Sequence, residues 1–572
     1  MVPDASQLLP SDSVTSNLQV VLLLGGLFCG VFVMALDATI IGTVVPIIST
    51  EFNALDDIAW YGSGYLLTIT ALQPTFGKLY RIVNVKWAFM ACVVVFEVGS
   101  VLCAAAPSSV VFIIGRAVAG AGAAGLFQGA LAIITKSVSL QKRPLCISMV
   151  TSAFAVSVCI GPPIGGALAD SVTWRWAFWI NVPIGAVVLV LIFFLLRLPK
   201  EPSNTSDSSQ AMTIMQKVWK LDPVGALLIV AAVTCILLAL QWGGQSKPWN
   251  SSSVIGLLVG FVLILGVFFW TQWRLGDDAT LPLWIFRRRS LLAGALFSFF
   301  FSMPSYVYGT YIPIYFQAVR ASSVLDSGVQ FLALAIPQIF GVVFTGALVS
   351  ALGFYVPFMT IGTAIGLLGS GLFLELDIDT PRAVWAVILV VCGLGTGFAI
   401  NLPYTVVQAI LTEDEVPIGN GINPPRPCVF PITEWCTDKS TAAFQFMFQL
   451  GASISLSIGQ TIFLNTLKSS AQQIVPSIPY SLLVSAGAYD LRKITGSDAL
   501  YELVRRVYIR ALHDTYIYPI VAAGVALLTT LALENKSLKV IQQEREAVAN
   551  DKERAESRHE GLAGEKSQTK VV

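Results

Sequence analysis

Charge is what this sequence has least of. Only 12% of its 572 residues are charged and 55% are hydrophobic, against about 25% and about 45–50% in an average soluble protein. So few charges could not cover the surface of a water-soluble globule, and the same figures exclude disorder over most of the length. Histidine is almost missing: two in the whole chain, which argues against a histidine-based metal or acid–base site. A net charge of +1 offers nothing to nucleic acid. No GxxxxGK[ST] phosphate loop occurs, so ATP is not the expected source of energy. The nine cysteines include no CxxC pair. Cys29, Cys92, Cys103, Cys146, Cys159, Cys235 and Cys392 lie in or beside apolar runs, where cysteine behaves as a small hydrophobe, while Cys428 and Cys436 fall in an unusual loop. Neither a disulfide framework nor a metal site is expected. The first eighteen residues hold no Lys or Arg and the apolar run behind them is too long, so no signal peptide is read there. What remains is an all-α polytopic membrane protein.

What is there is a series of long apolar runs. A membrane helix needs about 20 mostly apolar residues, and fourteen runs qualify: 19–47, 58–78, 87–106, 110–134, 145–169, 177–197, 222–242, 254–273, 291–316, 328–351, 353–374, 383–409, 441–467 and 516–534. They do not alternate polar and apolar as barrel strands do. With the N-terminus inside, the basic residues Lys78, Arg81 and Lys86, then Lys136, Lys142 and Arg143, then Arg197, Lys200, Lys217 and Lys220, then Arg274 and Arg287 to Arg289 fall in inner loops. The opposite loops up to span 12 hold only Arg175, Lys247, Arg320 and Arg382. That is the positive-inside pattern. The loop between spans 13 and 14 is a mild conflict, being outer and basic. The layout expected is a tail at 1–18, a six-helix half at 19–197, a Ser-rich linker at 198–221, two additional helices at 222–273, a second six-helix half at 274–534 and an inner tail at 535–572. Asn250 starts the one outer glycosylation sequon, but it lies so close to the membrane that its use is not expected.

The placement of charge carries the sharpest signal. Of 35 basic residues only Arg116 falls inside a span, and of 34 acidic ones only Asp37 and Glu97 sit well inside. An ionised side chain in mid-membrane costs at least about 2.5–3.5 kcal/mol, so such residues mark an ion path or a partner. They lie on spans 4, 1 and 3, so they can pair only across helices.

Small residues are the second signal. Ser157, Gly161, Gly165 and Ala169 recur every four residues on span 5 and make one groove for a neighbouring helix; Pro162 and Pro163 within it should bend or break that span. The stretches AGAGAAGLFQG (119–129) and CGLGTGFAIN (392–401) read as an internal repeat that puts Gln128 and Asn401 in equivalent places. Repeated halves with the substrate site between them are how many secondary transporters are built.

These residues resemble the major facilitator superfamily, and within it the fourteen-span drug–proton antiporters of fungi, over about 19–534. LDATIIGTVVP (36–46), GRAVAGAGAAG (115–125), SVCIGPPIGG (157–166), WRWAFWINVPIG (174–185), YIPIYFQ (311–317) and EVPIG (415–419) carry the resemblance. It implies a major facilitator fold, with Asp37 in the acidic position of the opening motif, Arg116 as the arginine implicated in proton coupling, and Gly161, Pro162, Gly165 and Gly166 in the motif associated with export. Two departures stand out. In GKLYRIVNVKW (77–87), Arg81 stands where the superfamily pattern has Asp, so a charge relay through that Asp is lost, although Lys78, Arg81 and Lys86 can still hold the loop to the anionic inner leaflet. The second is the segment 420–440, NGINPPRPCVFPITEWCTDKS, which interrupts the family pattern; removing it joins Ile418-Gly419 to Thr441-Ala442. We read it as a retained intron, with a genuine loop insertion as the alternative.

The function expected is proton-coupled secondary export of small hydrophobic organic compounds, such as a fungal secondary metabolite, toxin or drug. The gradient drives it, and no cofactor is needed. Asp37, Arg116 and Glu97 would couple protons; Gln128, Tyr308, Tyr311, Tyr315, Gln338 and Asn401 would meet substrate; and Gly161, Pro162, Gly165 and Gly166 would gate. The partners are the substrate, protons and the lipid bilayer, with no nucleic acid, and the protein works as a monomer in the plasma membrane or, alternatively, the vacuolar membrane. The competing readings are a basic amino acid or siderophore transporter of the same superfamily and a non-transporting membrane sensor. An enzyme is not expected, because no His, Asp or Ser cluster sits near an interface.

Overall fold

In hydrocarbon a backbone can satisfy its own polar groups only as helix or closed barrel, and the computed structural model is helical throughout its spans. It describes residues 17–52, 54, 57–138, 141–196, 219–244, 247–276, 279–281, 287–410, 432–479, 483, 491, 495–535, 537–541 and 543. The first half comprises α1 (Asn17–Glu51), α2 (Ile58–Ile82), α3 (Val85–Ala104), α4 (Ser109–Ser137), α5 (Arg143–Ser171), the single turn α6 (Trp176–Trp179) and α7 (Asn181–Leu195). Then come α8 (Pro223–Trp242) and α9 (Ser252–Leu275). The second half comprises α10 (Arg289–Ile314), ending in a π-helical turn at Tyr315–Val319, then α11 (Val324–Leu352), α12 (Val356–Leu372), α13 (Arg382–Ala399), α14 (Leu402–Ile410), α15 (Ile432–Ile474) and α16 (Asp498–Thr530). Among the described residues, 13 helical segments are long and apolar enough to cross a membrane. The 25-residue α2 is more polar, with Ser63, Thr68, Thr70, Gln73 and Thr75 along it, and completes the fourteen.

Three sequence expectations are corrected. The last span does not start at 516: α16 starts at Asp498, and its 33 residues reach about 50 Å at 1.5 Å per residue, well beyond a hydrocarbon core of about 30 Å. The charges that hid this start serve the outer end, where Arg505 donates from Nε to the Val319 carbonyl (2.5 Å) and pairs with Glu502 (2.8 Å). Second, Pro162 and Pro163 do not break span 5, since α5 is one helix from Arg143 to Ser171. Third, Lys78 is buried rather than laid on lipid headgroups, and Lys86 Nζ donates to the Phe193 carbonyl near the end of α7 at 2.6 Å. The inserted segment, up to residue 431, and the linker, up to residue 218, lie outside the described residues, and 432–440 form the first turns of α15.

The helix crossings follow the small residues. On α4, a Cβ at Gly120 would strike Thr68 and the Tyr65 carbonyl of α2, while one at Gly122 would strike the Phe96 backbone of α3. On α13, Gly393 and Gly397 lie against the Leu334 and Gln338 backbone of α11, and Gly395 against Gly366 of α12. Alternate glycines thus serve two flanking helices in each half, which makes the glycine repeat a real correspondence between α4 and α13. The additional pair sits at the side: Ile229 and Val233 of α8 and Phe268 of α9 pack with Ala71 of α2 and Phe446 of α15, while α9 turns Val262, Leu263, Trp270 and Trp273 outward. Asp222 anchors this pair. Its left-handed backbone (φ 56°) is one Asp tolerates. Its carboxylate caps α8 through Gly225 N (2.8 Å) and accepts from Gln272 Nε2 (2.8 Å) and Thr280 Oγ1 (3.0 Å).

Candidate functional site

Arg116 lies about two turns inside the N-terminal end of α4, and Asp37 lies in the middle of α1. The close α4–α2 crossing brings them together: Arg116 Nη1 meets Asp37 Oδ2 at 2.5 Å, with the two side chains 1% and 0% exposed. The guanidinium also donates from Nε to the Tyr61 carbonyl (2.9 Å) and lies over the Tyr65 ring, 4.5 Å from its centroid. Tyr65 in turn donates to the Met34 carbonyl of α1 at 3.0 Å. The other carboxylate oxygen of Asp37 accepts from Asn181 Nδ2 at 3.3 Å, and the same amide donates to Ser100 Oγ at 3.1 Å. Four helices and the start of a fifth therefore converge on one ion pair inside the first half. A buried pair of this kind is a poor source of stability, because desolvation offsets the attraction. Breaking it would leave a buried guanidinium without its counter-charge.

The groove on α5 packs where the spacing placed it. Ser157 Oγ donates to the Phe32 carbonyl (3.0 Å), and Thr39 Oγ1 donates to the Ser157 carbonyl (3.1 Å). Cβ atoms on Gly161 and Gly165 would run into Thr39 and Thr43 of α1. Gly166 faces open space and is outside this groove, while Pro163 bears on Gly328 of α11, across the halves. Pro162 takes no part in that contact.

Substrate candidates divide. Asn401 reaches across the halves to donate to Thr151 Oγ1, and Gln128 is buried in α4. The Gln338 backbone is taken up by the crossing with Gly397. The three tyrosines of span 9 point elsewhere: Tyr308 packs on Phe373 (4.5 Å between centroids), Tyr311 on Phe463 (5.4 Å), and Tyr315 donates to the Asp377 carbonyl (2.9 Å), all inside the second half. Besides Asn401, a contact between the halves that was not singled out from sequence is Tyr404, which lies 6.3 Å from the Phe127 ring of α4. Within the second half Tyr404 bonds Gln445, and Tyr306 donates to Gln449 at 3.4 Å. Gln445 and Gln449, four apart within an apolar run, were the available signal. Asn181 lies in the quoted stretch 174–185, but only its geometry assigns it. Asn250 is exposed in the outer turn before α9. Among the described residues no group of His, Cys, Asp and Glu could hold a metal ion.

An outer clamp ties α1 to two loops. Trp174 Nε1 donates to Glu51 Oε2 (2.6 Å), Arg175 Nη1 pairs with Glu51 Oε1 (2.7 Å), and Arg175 Nη2 donates to the Ala106 carbonyl (3.2 Å). The indole bond, ahead of the neighbouring guanidinium, holds the Glu51 carboxyl below its ordinary value. A lowered folded value means that the clamp contributes fully above the ordinary carboxylate range, about pH 4.3, and is lost as pH falls through the lowered value. Trp174→Phe should therefore lower the melting midpoint at neutral pH by a deficit that shrinks as pH falls through the carboxylate range, measured as melting midpoint against pH in detergent; a deficit equal at every pH would detach the indole bond from the Glu51 carboxyl.

Comparison with known proteins gives consistent neighbours. The Major Facilitator Superfamily model matches residues 27–423. The aspyridones efflux protein of Neocamarosporium betae is 38% identical over 92% of this chain and 88% of its own length. The efflux pump aflT of Aspergillus parasiticus is 34% identical over 92% and 98%. Among solved structures, a bacterial homolog of the human lysosomal transporter Spinster, inward-facing and unoccupied, superposes with a TM-score of 0.53 at 14% identity, covering 91% of this chain and 98% of that one. At that identity the likeness concerns the fold alone.

Proposed function

The chain belongs to the major facilitator superfamily, and we propose that it exports small hydrophobic organic compounds, of the fungal secondary-metabolite or toxin kind, in exchange for protons. It is a multi-pass membrane transporter rather than an enzyme, and relatives named as efflux pumps over nine-tenths of its length support the outward direction. The observation that carries proton coupling is the buried Asp37–Arg116 pair.

The geometry supports the following cycle. In the conformation described, Asp37 is held by Arg116 and Asn181. A proton arriving from outside cancels the carboxylate charge and strands the guanidinium with only the Tyr61 carbonyl and the Tyr65 ring. That conformation is then destabilised relative to one in which the helices have shifted and Arg116 is solvated, and the two halves tilt. Substrate meets Tyr404 and Asn401, which bridge the halves, with Tyr306, Gln445 and Gln449 bonded beside Tyr404 in the second half and Gln128 buried in the first. Amides, phenols and rings suit an uncharged molecule with a few carbonyl or hydroxyl groups, and the α1–α5 crossing at Gly161 and Gly165 keeps the outer seam tight. One proton crossing about 100 mV yields about 2.3 kcal/mol, and a tenfold proton gradient adds about 1.4 kcal/mol. Together they sustain roughly a few hundredfold concentration ratio of a neutral substrate, enough for self-protection at the plasma membrane.

Inside-out vesicles carrying the protein test this. An acid lumen should drive accumulation of a neutral aromatic polyketide, and a protonophore should collapse it. Accumulation that ignores the protonophore would rule out proton exchange.

A further inference from the structure

Glu97 is a buried acid that the cycle above does not use. It lies on α3 about two turns from the outer end, a depth similar to that of Arg116 on α4. The helices α3 and α7 run antiparallel against each other: Lys86 meets the Phe193 carbonyl at one end and Ser100 meets Asn181 at the other. Between those points the Glu97 carboxyl is pressed onto the bare backbone of Gly185, where an added Cβ would land on Oε1. Both carboxyl oxygens are buried and have no hydrogen-bond donor. A carboxylate with neither donor nor counter-charge is costly to bury, and the neutral acid is not. A second orphan sits at the same interface: Asn181 Oδ1 is buried and has no donor either, although the Nδ2 of that amide serves both Asp37 and Ser100. Asn181 and Gly185 are one helical turn apart on α7, as Ser100 and Glu97 are on α3. A neutral Glu97 carries the O–H that Asn181 Oδ1 lacks.

We propose that Glu97 is a second proton-binding carboxyl of the transport cycle, whose O–H engages Asn181 Oδ1 and so holds that amide against Asp37. The inference rests on the proton-exchange reading and adds a second proton to it. A small slide of α7 along α3 brings the two groups together. When the O–H bond at Glu97 breaks and its proton passes to water on the inner side, the carboxylate repels Oδ1, the amide turns, and Nδ2 leaves Asp37. The charged group shown to act on Glu97 is Asp37 from α1, which Arg116 of α4 pairs; Tyr61 and Tyr65 of α2 lie against that arginine, Cys103 follows on α3 itself, and α6 and α7 carry no titratable side chain. No basic side chain on α7 could take Asn181's place.

The experiment compares wild type, Glu97→Gln, Glu97→Asp and Asp37→Asn in proteoliposomes, reading protons moved per substrate from the membrane potential at which net flux of a neutral aromatic probe vanishes. The expected ratio is two for wild type and one for Glu97→Gln, with probe binding kept within about twofold and the ratio of two restored in Glu97→Asp. Gly185→Ala, which displaces the carboxyl, should behave as Glu97→Gln does. If Glu97→Gln keeps the wild-type ratio while Asp37→Asn loses uphill transport, Glu97 is only a packed neutral acid and this inference falls. If wild type itself moves no protons with the probe, the proton-exchange reading has failed.

Discussion

Asp37→Asn abolishes uphill export while the protein still binds its substrate. Asparagine fills the same space and its Oδ1 can still accept from Arg116 Nη1, as the carboxylate does at 2.5 Å, while its Nδ2 replaces the oxygen that accepted from Asn181 Nδ2 at 3.3 Å. What it cannot do is change charge. The guanidinium, 1% exposed, then has a neutral partner at every stage, and no proton arrival distinguishes one conformation from another. Removing one partner of a buried pair also costs about 3–5 kcal/mol, so the variant should melt lower, and transport must be scored per folded molecule. Accumulation in vesicles with an acid lumen should drop by at least about a hundredfold, because no proton arrival then drives the conformational change and even one proton per substrate supports roughly a few-hundredfold gradient. Substrate quenching of tryptophan fluorescence should keep its midpoint within a few-fold. A variant that still concentrates substrate would place the proton elsewhere.

Gly395→Val prevents folding of the second half. Gly395 on α13 faces Gly366 on α12, and a Cβ at Gly395 would collide with the Gly366 amide and α-carbon and with the Ile365 carbonyl carbon. These are backbone atoms that no rotamer change can move. Overpacking of this kind costs about 1–3 kcal/mol even where side chains can adjust, and here two helices would have to part along a crossing that in a membrane rests on close packing alone. Monodisperse protein after detergent extraction should fall by at least about tenfold, equivalent to about 1.4 kcal/mol. Gly166→Ala, with open space around its Cβ, should extract like wild type. Equal yields from the two would refute the crossing.

Much of this architecture was legible in the residues. Continuous apolar runs gave thirteen of the spans with small shifts in their ends, because hydrocarbon demands both length and apolarity. The Asp37–Arg116 pair was legible because charges inside spans are so few that they have to find one another. The α1–α5 crossing was legible because serine and glycine at every fourth residue define one face. Three things were not. Residues 498–510 open the helix of the last span but carry Arg505, Arg506 and Arg510 with Asp498 and Glu502, and so many charges erase the hydropathy signal. On α10, Tyr308, Tyr311 and Tyr315 share one face and Tyr306 lies on another, and in a helix buried all round both faces are aromatic, so periodicity cannot say which one meets the other half. Asn181 opens a helix at the edge of a span, where an amide reads as an ordinary cap, and only the coordinates bring it to Asp37. Glu97 was legible as an oddity, but its partner was not, because Gly185 makes room for it without any polar mark of its own.

The most direct test of the account is proton release. Purified wild-type protein in weakly buffered detergent, mixed with saturating neutral substrate across a series of pH values, should release protons in proportion to the protein present. Asp37→Asn under the same conditions should release fewer, the difference being the proton that Asp37 carries. Identical release from the two, or none from wild type at any pH, would contradict the claim that a carboxylate opposite Arg116 trades its proton for the substrate.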